Sequence, residues 1–307
     1  MQHVLALRAL GLGDFLTAVP ALRGLRAHFP DSHLTLATTS WLEPLVRLTG
    51  VADETLPTGG LTGIDPAVRP DVAINLHGCG PHSIDVLVQT GCKTLLTHAH
   101  PDRPDIPGCP WINDMHETAR WCRLLEFHGI ATDPADFRLP CPRTPSSSPG
   151  AVVIHPGAAS RARQWPPERY AAVARSLREC GHTVIVTGTE AESSLVSAVV
   201  DGAGLPHTAG MAGTLTLLEL CSLVAESSLV ICGDTGVAHL ASAFEAPSIV
   251  LFGPTPPSQW GPPTGGPHRV LWYGTTGDPH GAEPDPGLLR IAVDDVVSAV
   301  ARRGVIV

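Results

Sequence analysis

Lysine is all but missing from this sequence. Of its 20 basic residues only Lys93 is a lysine, and 29 acidic residues leave a formal charge of −9. The deficit is spread evenly, with 11 basic and 15 acidic residues up to Pro149 and 9 and 14 after it. Neither half is a basic module, so the chain is not built around nucleic-acid phosphates, and peripheral contact with anionic lipid is not favoured. No run of 18 apolar residues exists, which excludes a helical membrane span. The opening Met1-Gln2-His3-Val4-Leu5 lacks the basic leader and cleavage site of a signal peptide, so a cytoplasmic location is expected. The eight cysteines form no Cys-x-x-Cys pair and are expected to be buried apolar fillers in a reducing compartment. No fixed-period repeat is present, which excludes solenoid and collagen-like chains.

What is present suffices for two cores: 307 residues, 43 % apolar and 16 % charged. Strand-like runs alternate with helical patterns from end to end, the mark of parallel α/β sheets. Strands are expected at 3–7, 33–38 and 71–76, and then at 152–155, 183–187, 228–232 and 248–252. A helix is expected over 168–180, with Tyr170, Val173, Ala174 and Leu177 on one face and Gly181 as its stop. Between the halves, 141–150 carries three prolines and a glycine and reads as a linker. The division is therefore 1–140, a linker, and 151–307, with a closing helix at 294–302 that could pack back on the first domain. Two Rossmann-like sheets joined in this way would face each other across a cleft at their C-terminal strand edges, where ligands of such sheets bind. The Pro/Gly-rich 253–267 is read as a loop lining that cleft.

Four strand-to-helix loops carry residues suited to chemistry. In Gly11-Leu12-Gly13-Asp14 the glycines allow close backbone approach, and Asp14 is either a helix cap or a proton acceptor. Leu16 stands at the third glycine position of a dinucleotide fingerprint and 38–40 lacks an acidic residue, which argues against NAD. Pro20 implies that the helix kinks there or begins near Val19. In the loop from His155 to Pro166, Ser160 offers a hydroxyl donor, and Arg161 and Arg163 offer planar forks suited to phosphate oxygens. In Gly188-Thr189-Glu190 the carboxylate either accepts ribose hydroxyls or complements a helix dipole. In 233–239, Thr235 and the amides of Gly236 and Val237 could cradle a diphosphate, while Asp234 caps the helix or receives sugar hydroxyls. The histidines at 77, 82, 98, 100 and 116 show no ligand spacing and are read as solvent-facing or acceptor-contacting; no metal site is expected.

Taken together, these loops resemble the heptosyltransferase-like glycosyltransferases, family 9 of the nucleotide-sugar-dependent enzymes. The match is carried by Gly11-Leu12-Gly13-Asp14 with Pro20-Ala21-Leu22-Arg23, by 71–78, by His116-Glu117, by His155-Pro156-Gly157-Ala158, by Gln164-Trp165-Pro166, by 233–240, and by Phe252-Gly253-Pro254-Thr255. They follow the family's order along nearly the whole chain.

The resemblance implies a GT-B architecture with the acceptor on the first domain and an ADP-sugar on the second. It also implies inverting transfer of heptose from ADP-heptose with no cofactor and no essential metal. Asp14 then stands where the family has its catalytic base, and Arg163 where relatives carry a phosphate-binding lysine. Glu190 resembles the ribose carboxylate, Leu215 lies near the adenine-contacting backbone, and Asp234, Thr235 and Gly236 resemble the sugar and diphosphate loop. Gly13, His77 and His116 fall on the acceptor side. The acidic first domain suits a soluble natural-product or aminoglycoside-type acceptor. The alternatives are a lipopolysaccharide-type or cell-surface glycan, then a UDP-sugar enzyme of GT-B form such as an epimerase, then a catalytically silent nucleotide-sugar-binding protein.

Overall fold

The structure is a computed structural model that describes residues 1–62 and 64–302. The chain divides into two units, Met1–Pro140 and Cys141–Val307.

The first unit contains strands β1 (His3–Leu7), β2 (His33–Thr38), β3 (Glu54–Pro57), β4 (Val72–Asn75) and β5 (Thr94–Leu96). Its helices are α1 (Leu12–His28), α2 (Glu43–Thr49), α3 (His82–Gln89) and α4 (Glu117–Phe127). All strand pairs are parallel, in the order β3-β2-β1-β4-β5, with Val4 opposite Leu34 on one side and Val72 on the other. The second unit contains β6 (Val152–His155), β7 (Val184–Gly188), β8 (Gly210–Ala212), β9 (Leu229–Gly233), β10 (Ser248–Leu251) and β11 (His268–Leu271). Its helices are α5 (Pro167–Glu179), α6 (Ser193–Ala203), α7 (Leu217–Ala225), α8 (Gly236–Ala243), α9 (Pro257–Trp260), α10 (Pro286–Leu289) and α11 (Val293–Ala301). The sheet is again parallel, ordered β11-β10-β9-β6-β7-β8.

Both sheets are doubly wound. The strand order reverses between β1 and β4 in one and between β6 and β9 in the other, and beyond the carboxyl ends of such paired strands lies the crevice where these sheets bind ligands. The central strands are covered on both faces, which is why they read as unbroken apolar runs. Helix α5 buries Tyr170, Val173, Ala174 and Leu177, and Gly181, at φ 87°, takes the left-handed turn that ends it.

Several expectations change. Helix α1 does not start late: it runs from Leu12 through Pro20, and ten of its residues are buried, so tertiary burial outweighs the hydrogen bond that proline cannot donate. Strands β3, β5, β8 and β11 had no forecast, being three or four residues long and mostly half-exposed. Residues 253–267 hold α9 and form the crossover from β10 to β11 rather than a plain loop. Helix α11 packs into the second unit's own core through Val296, Ala299 and Val300. The proline-rich stretch is tied to that unit too: Gly150 N–H donates to the Glu226 carbonyl at 2.8 Å, Ser146 N–H to Glu226 Oε1 at 3.2 Å, and Ser222 Oγ to the Thr144 carbonyl at 2.6 Å. Four cysteines (109, 122, 221, 232) are buried and two half-buried, but Cys141 and Cys180 are exposed and fill nothing.

Candidate functional site

In the first unit the chemistry gathers behind the end of β1. Arg8, the residue after that strand, is 1 % exposed. Its Nε donates to the Asp14 carbonyl at 2.9 Å and its Nη1 to the Leu76 carbonyl at 2.6 Å. Its Nη2 reaches Asp14 Oδ1 (3.3 Å), Thr17 Oγ1 (3.3 Å) and Glu117 Oε1 (3.2 Å). Glu117 opens α4 and also accepts from Trp121 Nε1 at 3.0 Å and Arg120 Nε at 2.9 Å. The guanidinium of Arg8 lies 4.6 Å from the Trp121 ring centroid, and that of Arg120 4.0 Å from Trp111. Burial pulls Arg8 below the ordinary arginine range, and the neighbouring Asp14 and Glu117 oppose that pull.

Asp14 lies in the first turn of α1. Its Oδ2 accepts from the Gly11 amide at 3.2 Å, closing the N-terminus, and 30 % of its side chain remains exposed. Gly13 is in the same turn. The N-cap is Gly11 and not Asp14, which reaches back to it from the third helical position. This contact is compatible with the proton-acceptor reading, because the backbone amide and Arg8 hold the carboxylate while part of it stays exposed.

His77 follows β4. Its Nδ1 accepts from the Ala9 amide at 3.3 Å, which places the remaining ring proton on Nε2. Burial, then Arg8, pushes it down to about 4, so at neutral pH it is a donor outward and not a base. His116 caps α4 by accepting from the Thr118 amide through Nδ1 at 3.2 Å. His98 is not solvent-facing: it is 1 % exposed between Trp111 and Trp121, with ring centroids at 4.8 and 5.8 Å.

In the second unit the loops after β6, β7 and β9 converge at one sheet edge. Trp165 anchors the first of these by donating to the Ile291 carbonyl at 3.0 Å, and Gln164 by donating to the Ala158 carbonyl at 3.0 Å. Arg163 is thereby turned toward the start of α8: its Nη1 is 3.3 Å from the Asp234 carbonyl and 3.7 Å from Asp234 Oδ2. Its Nε is buried with no hydrogen-bond partner, a donor waiting for an acceptor. Arg161 points to solvent instead. Thr235 is the N-cap of α8, and Gly236 and Val237 lie in its first turn, where helix geometry leaves amides without intrahelical acceptors. The predicted arginine and the predicted phosphate loop are therefore neighbours across the β6/β9 switch point.

Two other predicted residues do something different. The Ser160 hydroxyl donates to the Gly281 carbonyl at 3.0 Å and accepts from the Ala162 amide at 3.3 Å, so its proton is spent within the fold. Glu190 is exposed at the start of a short helical turn, with its backbone packed against Gly213 in the loop that leads to half-buried Leu215. The carboxylate closer to the β6 loop is that of Glu192. Its Oε2 accepts from the Thr189 amide (2.8 Å) and hydroxyl (2.9 Å), and its head lies against Gly157, where any side chain would collide with it. Beneath it, His155 Nδ1 is 3.0 Å from Thr187 Oγ1, and burial pushes this histidine down. Reasoning from sequence missed Arg8 and Glu192, and gave Glu117 no role beyond its place in the His116-Glu117 match. Glu192 was the most accessible of these, two residues past the forecast position in the same turn.

Among the described residues no group of three His, Cys, Asp or Glu side chains is placed to hold a metal ion, and no helix is long and apolar enough to cross a membrane.

Residues 130–277 match the model of glycosyltransferase family 9 (heptosyltransferase). Lipopolysaccharide heptosyltransferase 2 of Escherichia coli K12 is 28 % identical over 88 % of this chain and 88 % of its own length. Lipopolysaccharide heptosyltransferase 3 of Escherichia coli is 33 % identical over 36 % of this chain, and that match spans a third of the relative's length. The solved Escherichia coli ADP-heptose lipopolysaccharide heptosyltransferase II shares the fold with a TM-score of 0.78, at 20 % identity, over 99 % of this chain and 98 % of that one. Escherichia coli heptosyltransferase WaaC with ADP does so with a TM-score of 0.73, at 15 % identity, over 99 % and 100 %.

Proposed function

Starting from a chain that belongs to glycosyltransferase family 9 and is a glycosyltransferase of the heptosyl type, we propose that it transfers heptose from ADP-heptose to a hydroxyl group of a bacterial surface glycan. The observation that carries the donor half is the Arg163 guanidinium, with its buried unpaired Nε, set beside the first turn of α8. An arginine fork and helix-terminal amides are what a diphosphate needs when it departs with growing negative charge. Glu192 is better placed than Glu190 to accept the ribose hydroxyls, being held by Thr189 over the glycine of the β6 loop.

The acceptor half rests on Asp14. In a single displacement the acceptor oxygen forms its bond to the anomeric carbon as the bond to the diphosphate breaks, and the hydroxyl proton passes to the aspartate, inverting the centre. His77 is not an alternative base, because its free ring nitrogen carries the proton. The relatives act on lipopolysaccharide by name, which favours the glycan acceptor over the aminoglycoside-type one that the acidic first domain suggested. Eight unpaired cysteines, with burial raising Cys122 to about 11 and Cys221 to about 12, suit a reducing cytoplasm.

The test is turnover of ADP-heptose with a de-acylated lipopolysaccharide core as acceptor, together with calorimetry of ADP and UDP. ADP is expected to bind at least about 10-fold more tightly than UDP, a gap of about 1.4 kcal/mol, and a chelator to leave turnover unchanged. Tighter UDP binding, or activity lost to chelator and restored by magnesium, would overturn this reading.

A further inference from the structure

The Arg8 cluster is more elaborate than the cap of one helix requires. Four charged groups meet there: Arg8 from the end of β1, Asp14 from α1, and Glu117 and Arg120 from α4. Of these, Arg8 and Arg120 are nearly inaccessible and Glu117 is about nine-tenths buried, so their charges are poorly screened and matter to one another. Two arginines and two carboxylates sum to zero. Two titratable neighbours remain: His77 from the loop after β4, which contacts the backbone beside Arg8, and His98, which packs on Trp121 and feels the charges of Arg120 and Glu117; both are neutral above about pH 5.

This arrangement resolves a conflict. A carboxylate that must take a proton needs a rigid angle, which the buried arginine fork supplies by holding the residue at two points, the Asp14 backbone carbonyl at 2.9 Å through Nε and the carboxylate oxygen Oδ1 at 3.3 Å through Nη2. A full positive charge so near would also stabilise the ionised form and weaken the base. Glu117 lies on the same Nη2, at 3.2 Å, and shares that charge. Resting on the reading of Asp14 as the base, we propose that Arg8 and Glu117 are positioning residues: Arg8 fixes the angle of the Asp14 carboxylate, and Glu117 neutralises Arg8 so that the carboxylate keeps its affinity for a proton.

Glu117→Gln keeps the shape and removes one negative charge, leaving the cluster at +1. Carbodiimide labelling of Asp14 against pH, read by peptide mass spectrometry, follows the protonated carboxyl directly and needs no acceptor. The labelling midpoint is expected to fall by about one pH unit. The kcat for ADP-heptose is expected to fall about 3- to 10-fold, with the donor KM unchanged. Arg8→Lys keeps the charge but loses the fork, so its midpoint should stay within a few tenths of a unit while kcat falls at least about 10-fold.

A change in thermal stability with no shift of the Glu117→Gln midpoint makes Glu117 merely structural and overturns its role. Full kcat in Arg8→Lys does the same for Arg8. Asp14→Asn separates the two levels: if it turns over normally, Asp14 is not the base and the underlying reading fails. If it collapses while the midpoint in Glu117→Gln stays put, only the present inference fails.

Discussion

Replacing Arg163 with alanine addresses the proposed donor site most directly. In the unliganded protein the side chain makes one long hydrogen bond, 3.3 Å to the Asp234 carbonyl, and a 3.7 Å ion pair with the Asp234 carboxylate, and it leaves its Nε unpaired. Little native stability hangs on it, and Trp165 and Gln164, not Arg163, anchor the loop. The melting temperature should therefore stay within a degree or two of wild type. Binding is another matter. A charge-assisted contact to a diphosphate is worth about 1.5–3 kcal/mol, which is about 10- to 150-fold in Kd. The loss should reach the upper part of that range, because the Arg163 charge 3.7 Å from the Asp234 carboxylate, which offsets its repulsion of an incoming phosphate, is removed as well. Calorimetric titration with ADP at low and moderate salt measures it, and Arg163→Lys should recover part of the affinity as a point charge without the fork. An ADP affinity within twofold of wild type in Arg163→Ala would refute the placement of the diphosphate at this arginine.

Glu192→Ala should abolish the preference of the protein for ADP over 2′-deoxy-ADP while Glu190→Ala leaves it intact; the reverse pattern in the same titration would return the ribose to Glu190. Burial pushes His98 down to about 4, so the unfolded chain binds its proton first, and stability that is complete above about pH 6.5 is lost as pH falls toward 4, by up to about 3 kcal/mol. His98→Phe should take its share out of that slope in thermal melts, while His77, His128 and His155, also pushed down by burial, keep theirs. It should cost little at pH 8, because the Cys109 carbonyl keeps the Ala99 amide at 2.9 Å as its donor; an unchanged slope would show that other groups cause it.

How much of this could be read beforehand differs by element. The central strands announced themselves because burial on both faces demands unbroken apolar runs such as Val152-Val153-Ile154. The edge strands did not, since Gly210–Ala212 and Thr94–Leu96 are too short to show a pattern. Strand-to-helix loops suited to phosphate carry their chemistry locally, so Arg163 and 234–237 were visible one at a time, and the sheet order explains why they meet. Arg8 and Glu117 are 109 residues apart, and nothing in either neighbourhood foretells the other. Glu192 was overlooked in favour of Glu190 because a short helical turn, rather than the extended loop end, decides which of two nearby carboxylates leans over Gly157.

The hydrogen bonds from 144–150 to Ser222 and Glu226 bear on where this protein can be cut. Composition changes at 151, and a fragment starting there would look natural on paper. It would strip the α7 end of its covering backbone, leaving the Ser222 hydroxyl and the Glu226 carbonyl facing water where a proline-rich strap had lain. An excised second unit should therefore begin by about residue 141, with the strap retained as its first piece of tertiary structure. The border of a folding unit lies where its ties to the chain run out, and here those ties reach some ten residues upstream of the first strand.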